Sequence, residues 1–414
     1  MTPDYLIRET CRICGSHELG TFLDLGGTPL ANFFVPLERV HEPESVYPLA
    51  AARCGTCGEV QLTAVVRPDV LFAHYLYASS ASAPMLRHFD AYAAEIKERF
   101  APHGSLVVEF GSNDGVLLRP LKSRGLIAVG VEPATNLADV ANAAGLTTLN
   151  KFFSESVARE IRDSRGAAKT VIANNVLAHI DDLSEVLRAL DALLSDDGVF
   201  VAEVPYLGDL IDNVEYDTMY HEHLSYFAIE PLARLFALAD MELFDVRHLP
   251  IHGGSIRIFA GRKGRHALSQ DLARSRAAEE RAELGDPQIY IRFAERVRAS
   301  RIALRELIAA ERSRGARVAA LGATAKGNTL LNYCQLGPAM VEYIGDSTVL
   351  KQGLLTPGMH IPVVAEETLK ADRPDFILLL AWNYADAIVP RYRDYIDAGG
   401  RFIHPIPLAR IIGG

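Results

Sequence analysis

A glycine-rich turn that joins an apolar strand to a helix narrows the folds open to this chain more than any other feature. Residues 106–115 read Leu-Val-Val-Glu-Phe-Gly-Ser-Asn-Asp-Gly. The apolar run predicts a strand buried inside a sheet, and the glycines permit a tight turn into the next helix. In a parallel α/β sheet, such a turn lies at the carboxyl edge, where backbone N–H groups face a ligand. We therefore expect an α/β sheet with a ligand crevice.

Further apolar strands alternate with helical stretches, which is typical of a parallel sheet covered by helices on both faces. Two strands that are close in sequence then predict an antiparallel hairpin at the far edge. This is the layout of the Rossmann-like fold of class I methyltransferases. The predicted strands are 106–110, 127–131, a third that ends near Asn150, 170–174, 199–204, 241–249 and 255–261, and one amphipathic helix is 182–194.

The turn differs from a dinucleotide-binding fingerprint. Its glycines follow the pattern G-x-x-x-G rather than G-x-G-x-x-G, and Glu109 precedes them. A carboxylate there suits the cationic amino-acid end of S-adenosylmethionine (SAM) better than a pyrophosphate. At the end of the second strand, Glu132 can accept hydrogen bonds from both ribose hydroxyls. We therefore expect SAM as cofactor, with an empty crevice as the alternative. The predicted cofactor-binding residues are Glu109, Gly111, Asn113, Gly115, Glu132, Phe152, Phe153 and Asn174.

Four of the five cysteines form two C-x-x-C pairs near the N-terminus. In a reducing compartment, this spacing favours metal over disulfides, and four thiolates can hold a structural Zn²⁺. Two unrelated pairs of reduced cysteines are the alternative, and His17 is a competing ligand. A closed site of four thiolates leaves no position for metal chemistry. The predicted ligands are Cys11, Cys14, Cys54 and Cys57.

Residues 220–223 read Tyr-His-Glu-His and follow the fifth strand, where the crevice of such a sheet opens. Burying this polar string for packing alone is costly, so a chemical role is favoured. A histidine with a pKa near neutrality can move a proton, which fits better than a His-x-His metal site. His179 follows the fourth strand and should reach the same pocket, although a structural histidine is the alternative.

Three other stretches are candidates for substrate contacts. Residues 75–82 are rich in phenols and hydroxyls, although they could equally cap a helix. Residues 252–257 combine a glycine turn with Ser and Arg, and residues 322–329 resemble a phosphate-cradling turn. The alternative for residues 252–257 is a turn without a binding role. The alternative for residues 322–329 is a remnant of the fold that binds no ligand. The predicted substrate-binding residues are Tyr75, Tyr77, Ser79, Ser80, His252, Ser255, Arg257, Lys326 and Asn328.

At 414 residues, the chain is too long for one ordinary core. We expect three domains: a zinc-binding domain over 1–69, a SAM-binding methyltransferase domain over 70–266, and linking helices with a second Rossmann-like domain over 267–414. The last region is expected to begin with one or two long helices up to residue 314. Its predicted strands are 317–321, 340–344, 375–380 and 401–403.

The charge balance argues against a nucleic-acid partner. The chain has 42 Lys and Arg against 52 Asp and Glu, a formal net charge of -10, and no basic stripe. No run approaches the roughly 20 apolar residues of a membrane span, and the N-terminus has no signal-peptide core. We therefore expect a cytoplasmic protein without a membrane partner, and the sequence is compatible with a monomer.

The motifs together resemble those of a known family over nearly the whole chain. They are CRICGS, CGTCGEVQL, YLYASSAS, VVEFGSNDG, VEP, YHEHLSYF, HGGSIR and GATAKGNTLLNYC. Their order is similar to that of the three-domain nucleotide-sugar C-methyltransferases of bacterial deoxysugar pathways. The resemblance implies a substrate bound between the last two domains and methylation next to a 4-keto group. It places the family's tyrosine-x-glutamate-histidine cluster on Tyr220, Glu222 and His223, and its upstream histidine on His179.

This chemistry requires a base, because a saturated sugar carbon becomes a nucleophile only after deprotonation next to the ketone. We assign the base to His223, with Tyr220 as rival. His179 and Tyr220 would stabilise the enolate oxygen, and Glu222 would orient the histidine or bind the sugar. The expected substrate is a dTDP- or GDP-linked 4-keto-deoxysugar. The alternatives are an O- or N-methyltransferase, a SAM-binding protein without turnover, and a nicotinamide oxidoreductase.

Overall fold

The computed structural model describes residues 4–71, 83–251 and 253–413. Its N-terminal segment is built from short strands around the two cysteine pairs. Strands β2, β4 and β5 form an antiparallel sheet, and β1 pairs with β6. The elements are β1 (Tyr5–Ile7), β2 (Leu19–Thr28), β3 (Val35–Pro36), β4 (Tyr47–Cys54), β5 (Val60–Leu62), β6 (Ala64–Val66) and α1 (Pro68–Leu71).

The middle segment contains the predicted α/β sheet. Its elements are α2 (Ala83–Arg99), β7 (Leu106–Phe110), α3 (Leu118–Ser123), β8 (Ile127–Val131), α4 (Thr135–Ala143), β9 (Thr147–Leu149), α5 (Glu155–Arg165), β10 (Ala168–Asn174), α6 (Leu183–Leu193), β11 (Leu194–Pro205), α7 (Leu207–Asn213), β12 (Ser225–Tyr226), α8 (Ile229–Ala237), β13 (Met241–Leu249) and β14 (Ser255–Arg262).

Seven of these strands form one sheet in the order β9-β8-β7-β10-β11-β14-β13. The strands run parallel except for β14, which lies antiparallel between β11 and β13. This confirms the sheet and its terminal hairpin. All five residues of β7 are buried, as a central strand covered on both faces requires. The sheet has the class I methyltransferase fold, and its crevice opens at the carboxyl ends of β7 and β10.

The C-terminal segment begins with two helices and continues into a second, six-stranded sheet. The sheet order is β18-β16-β15-β19-β20-β21, parallel except for β21. The elements are α9 (Gln270–Arg281), α10 (Pro287–Ser313), β15 (Val318–Leu321), α11 (Ala325–Cys334), β16 (Ile344–Asp346), β17 (Leu354–Leu355), β18 (Val363–Ala365), α12 (Glu367–Asp372), β19 (Phe376–Leu379), α13 (Ala385–Ile388), α14 (Arg393–Asp397), β20 (Arg401–His404) and β21 (Arg410–Ile412).

One strand prediction was wrong: the strand expected at 340–344 begins only at Ile344. The preceding residues form a turn, in which the N–H groups of Met340 and Val341 both donate to the carbonyl of Gly337. Pairing with β15 starts where Ala320 opposes Ile344. The apolar residues Met340 and Val341 therefore pack from a turn, which a hydrophobic pattern does not distinguish from a strand.

Strands of different segments pair with one another, so the three segments are joined by backbone hydrogen bonds as well as by packing. β12 of the middle segment pairs with β5, and β17 of the C-terminal segment pairs with β3. One cluster of buried apolar residues runs through all three segments. Within the described residues, no helix combines the length and the apolar character that crossing a membrane requires. The domain boundaries at residues 69 and 266 stay predictions.

Candidate active site

The cofactor crevice begins where β7 ends. The backbone turns sharply there, with positive φ at Gly111 (64°), Asn113 (51°) and Gly115 (78°). A Cβ at Gly111 would come within 2.8 Å of Val176, so the position requires glycine for space as well as for conformation. This close approach aligns the turn with the adjacent end of β10.

Two buried oxygens at neighbouring strand ends lack hydrogen-bond partners within the described residues. Asn174 Nδ2 donates to Glu109 Oε1 at 3.1 Å, which leaves Glu109 Oε2 and Asn174 Oδ1 unpaired. Burial raises the pKa of Glu109 well above its ordinary value. A cationic ammonium group placed there would satisfy both acceptors and favour the carboxylate. These residues therefore fit the amino-acid end of SAM.

The carboxyl group of Glu132 lies at the end of β8 and is already tied to the turn. It accepts from the N–H groups of Asn113 (2.8 Å) and Ala134 (2.9 Å). Nearby, the ring of Phe153 stacks on Phe110 at 4.3 Å, whereas Phe152 is 57 % exposed. The two backbone hydrogen bonds thus fix the Glu132 carboxyl group at the crevice, and Phe152 and Phe153 stay predicted cofactor-binding residues.

Tyr220 and His223 form a hydrogen-bonded pair in the loop before β12. Tyr220 Oη lies 2.9 Å from His223 Nε2, and His223 Nδ1 lies 2.9 Å from the carbonyl oxygen of Thr218. Because a carbonyl only accepts, Nδ1 carries a proton, so in the neutral form of the ring Nε2 is the acceptor. The pair therefore presents a basic nitrogen next to a phenol.

Three other titratable groups belong to the predicted site or its loop, and burial shifts the pKa of each. The His179 ring lies 5.1 Å from the His223 ring. Desolvation lowers the pKa of His179 to about 4, so this ring is neutral at pH 7. Desolvation also raises the pKa of Glu222 to about 7, against a hydrogen bond from Asn32. His221 is turned away from the pair: its Nε2 donates to the Pro48 carbonyl at 3.1 Å, and burial lowers its pKa to about 4.

The four paired cysteines converge in the N-terminal segment. Cys11 Sγ lies 3.4 Å from Cys57 Sγ, and Cys14 Sγ lies 3.6 Å from Cys54 Sγ. All four sulfur atoms lie within 4.8 Å of one another. Thiolates about 2.3 Å from a tetrahedral Zn²⁺ require sulfur separations of this size. The cluster consists of these four residues, so His17 is not part of it.

Three family models match successive parts of the chain. They are described as "Putative zinc binding domain" over residues 11–72, "Methyltransferase domain" over 85–246 and "C-methyltransferase C-terminal domain" over 250–407. The chain is 39 % identical over 409 residues to the C-methyltransferase NovU of Streptomyces niveus, covering 98 % of this chain and 97 % of that protein. The chain belongs to the C-methyltransferase family. This C-methyltransferase is SAM-dependent and has a zinc-binding N-terminal domain.

Solved methyltransferases match part of the chain, with low sequence identity and low TM-scores. Magnesium protoporphyrin IX methyltransferase (ChlM) of Synechocystis PCC 6803 with bound SAM matches 44 % of this chain and 79 % of its own, at 14 % identity and a TM-score of 0.32. The CcbJ methyltransferase of Streptomyces caelestis matches 47 % of this chain and 95 % of its own, at 13 % identity and a TM-score of 0.34.

Two predicted substrate-binding residues already contact other groups inside the C-methyltransferase. Arg257 pairs with Glu203 and, at 2.6 Å, with Glu95, and it lies 3.5 Å over the Tyr92 ring. Its charge is thus compensated by the protein, and Ser255 Oγ donates to the Ile251 carbonyl at 3.1 Å. A substrate role for both stays a prediction.

The two predicted residues of the C-terminal segment differ in their surroundings. Lys326 Nζ lies 3.5 Å from Glu215 Oε2 and 5.5 Å from the Trp382 ring, so it faces the middle segment. Asn328 is 1 % exposed and donates to the carbonyl of Ala31 at 2.7 Å. The other predicted contacts, at Tyr75, Tyr77, Ser79, Ser80 and His252, lie outside the described residues.

Sequence patterns missed side chains from other segments that bind the predicted active-site loops, among them the loop 214–224, which carries the predicted catalytic residues and is called the catalytic loop below. Asn32 donates to Glu222 Oε1 at 2.6 Å, and Trp382 Nε1 donates to Asp217 Oδ2 at 2.6 Å. Arg12, inside the first cysteine pair, binds Asp181 at 3.0 Å, two residues after His179. These partners are 165 to 190 residues apart in the chain, and no motif marks such long-range contacts.

Proposed function

We propose that this C-methyltransferase methylates a dTDP- or GDP-linked 4-keto-deoxysugar at the carbon next to the ketone. The observation that carries the proposal is the Tyr220–His223 pair, in which His223 Nδ1 is bound to the Thr218 carbonyl, Nε2 is directed at the Tyr220 hydroxyl, and the neutral His179 ring lies alongside. A C–H bond next to a ketone is acidic enough for such a pair to deprotonate, whereas an isolated sugar carbon is not.

In the proposed reaction, His223 Nε2 is the final proton acceptor. It either takes the proton from the sugar carbon directly or takes the Tyr220 proton while the phenolate oxygen deprotonates the carbon. The electrons of the broken C–H bond move into the enolate, whose oxygen receives a hydrogen bond from His179 or Tyr220. Glu109, Glu132 and Asn174 would hold SAM, which would supply an electrophilic methyl group to the enolate carbon, with the S–CH3 bond breaking and the thioether as leaving group.

The N-terminal Zn²⁺ has no step in this scheme. Four thiolates fill a tetrahedral shell, so the ion has no position for a substrate oxygen. Its proposed role is structural, in keeping with the four sulfur atoms that converge between β4 and the N-terminal turn.

The test uses purified protein, isotope-labelled SAM and a panel of dTDP- and GDP-linked 4-keto-6-deoxysugars. We expect one methyl group to be gained, and fragmentation in the mass spectrometer to place it on a ring carbon. We also expect solvent deuterium to enter the same carbon, because the pair must labilise that proton before transfer. A methyl group found on oxygen, or no transfer to any sugar of the panel while SAM binds, would contradict the proposal.

A further inference from the structure

The turn between β2 and β3 brings an N-terminal side chain to the catalytic loop. The turn is closed by a hydrogen bond from Phe33 N–H to the Leu30 carbonyl at 3.0 Å. From this turn, Asn32 Nδ2 donates to Glu222 Oε1 at 2.6 Å. Because Glu222 is only 5 % exposed, its carboxyl group depends on donors from the protein more than on bulk water. Asn32 is therefore hydrogen-bonded directly to a predicted active-site group.

The C-terminal segment holds this turn from the other side. Asn328, in the first turn of α11, donates to the Ala31 carbonyl at 2.7 Å. Just beyond the turn, β3 pairs with β17, where Val35 opposes Leu355. All three segments thus meet at one hydrogen-bonded chain that runs from Asn328 through the turn to Glu222. A rearrangement of any segment would move the carboxyl group.

We propose that Asn32 is a positioning residue of the methyl-transfer site, acting by fixing the carboxyl group of Glu222, and that Asn328 supports it by holding the turn. The inference deepens the proposed function and rests on it in one respect, since it takes Glu222 to be part of that site. It assigns to the zinc-binding segment a direct part in building the active site.

The electrostatics of Glu222 give the contact a measurable signature. Burial raises the pKa of Glu222 to about 7, and the Asn32 amide opposes this rise by stabilising the carboxylate. The other titratable groups here are Tyr220, His221 and His223 on the same loop and His179 from the loop after β10, while the N-terminal turn contributes the uncharged amide. Loss of the amide should therefore move the titration of Glu222 to higher pH.

The first experiment compares Asn32→Leu and Asn32→Asp with the wild type. Both remove the donor: the leucine replaces it with an apolar branched side chain, and the aspartate, at nearly constant volume, adds a like charge. We expect kcat to fall about tenfold or more, the SAM dissociation constant to stay unchanged, and the acidic limb of the kcat profile to move upward, further for Asn32→Asp. Phe33→Leu is the matched control, because Phe33 lies in the same turn but is 44 % exposed. Normal kcat and an unmoved limb in both variants would overturn the inference.

A double-mutant cycle asks whether Asn32 acts through Glu222. Asn32→Leu, Glu222→Leu and the double variant should be non-additive in kcat, because the second change removes a contact that is already lost. Additive losses would show that the two residues act independently and would overturn the inference. Asn328→Ala should reproduce the loss of kcat with unchanged SAM binding, in the same direction as Asn32→Leu.

A second readout needs no sugar substrate. Between pH 4.5 and about 7, the folded protein keeps a proton on Glu222 that the unfolded chain releases, so this group's contribution to stability falls as pH rises. The stability difference between wild type and Glu222→Gln locates that window, and Asn32→Leu should shift its upper end to higher pH, because only the pKa of the folded state depends on the Asn32 contact. An unshifted window overturns the inference. If the wild type methylates no keto-sugar, the proposed function fails, but this readout still decides the contact.

Discussion

Among single residues, the backbone carbonyl of Thr218 has the clearest chemical consequence. It accepts from His223 Nδ1 and thereby leaves Nε2 facing Tyr220. The amino-acid sequence identifies a histidine in a polar string, but the protonated nitrogen depends on a carbonyl that any residue at position 218 would supply. The hydrogen-bond partner, and not the residue type, decides which nitrogen carries the proton: in the neighbouring His221 it is Nε2, which donates to the Pro48 carbonyl.

Replacement of His223 by Asn tests the base at this scale. The Asn amide can keep the donor toward Thr218 but has no basic nitrogen. We expect kcat to fall by about 10²–10⁴-fold, the usual contribution of a positioned base, with SAM affinity little changed. Single-turnover kinetics and calorimetry of SAM binding measure the two quantities. Near-normal turnover would remove His223 from the base role and leave Tyr220 as the candidate.

At the scale of elements, the catalytic loop takes its shape from the 3-10 turn Tyr216–Thr218. This turn packs against α11, where Tyr216 Oη lies 3.5 Å from Cys334 Sγ. Asp217 is fully buried, and one of its oxygens is held by Trp382 from the loop after β19. Since Thr218 follows directly, this hydrogen bond links the C-terminal sheet to the carbonyl that orients His223.

Trp382→Phe tests that link, because it keeps an aromatic ring but removes the donor. A buried carboxylate that loses its donor should lower the free energy of unfolding by about 1–3 kcal/mol, and kcat should fall with SAM affinity unchanged. Urea unfolding and steady-state kinetics measure the two effects. Adding Asp217→Asn removes the buried charge, so it should restore stability but not kcat. Normal kcat in the single variant would show that the link does not position the loop.

At the scale of the whole molecule, different segments of the C-methyltransferase support the predicted cofactor site and the predicted catalytic residues. The predicted SAM-binding residues Glu109, Glu132 and Asn174 lie in the middle segment. The catalytic loop instead relies on the N-terminal segment, through β5 against β12 and through Asn32 against Glu222. The zinc cluster lies in that same segment, with Arg12 of the first cysteine pair bound to Asp181.

Removal of zinc should therefore affect turnover much more than SAM binding. We expect a chelator, or Cys14→Ser, to abolish methyl transfer while SAM binding is largely kept. Zinc content by elemental analysis, SAM binding by calorimetry and methyl transfer can be followed on the same sample, with zinc added back as the control for the chelator. Parallel loss of SAM binding and turnover would contradict the division, because the middle segment would then depend on the N-terminal one for its fold.

The sequence by itself determined the features that depend on neighbours along the chain. Strands 106–110, 127–131 and 241–249 were predicted with the bounds that the structure has. The first two are short, mainly apolar runs beside glycine turns, and the third mixes apolar and polar residues before the glycine turn at 253–254. The two C-x-x-C pairs predicted the sulfur cluster, because each pair brings two thiols together on one turn of the chain. Only the tertiary structure decided which nitrogen of His223 is basic, that Arg257 is compensated by Glu203, and that Asn32 and Trp382 hold the catalytic loop. Those outcomes depend on contacts between residues far apart in the chain, and local pattern carries no information about such distances.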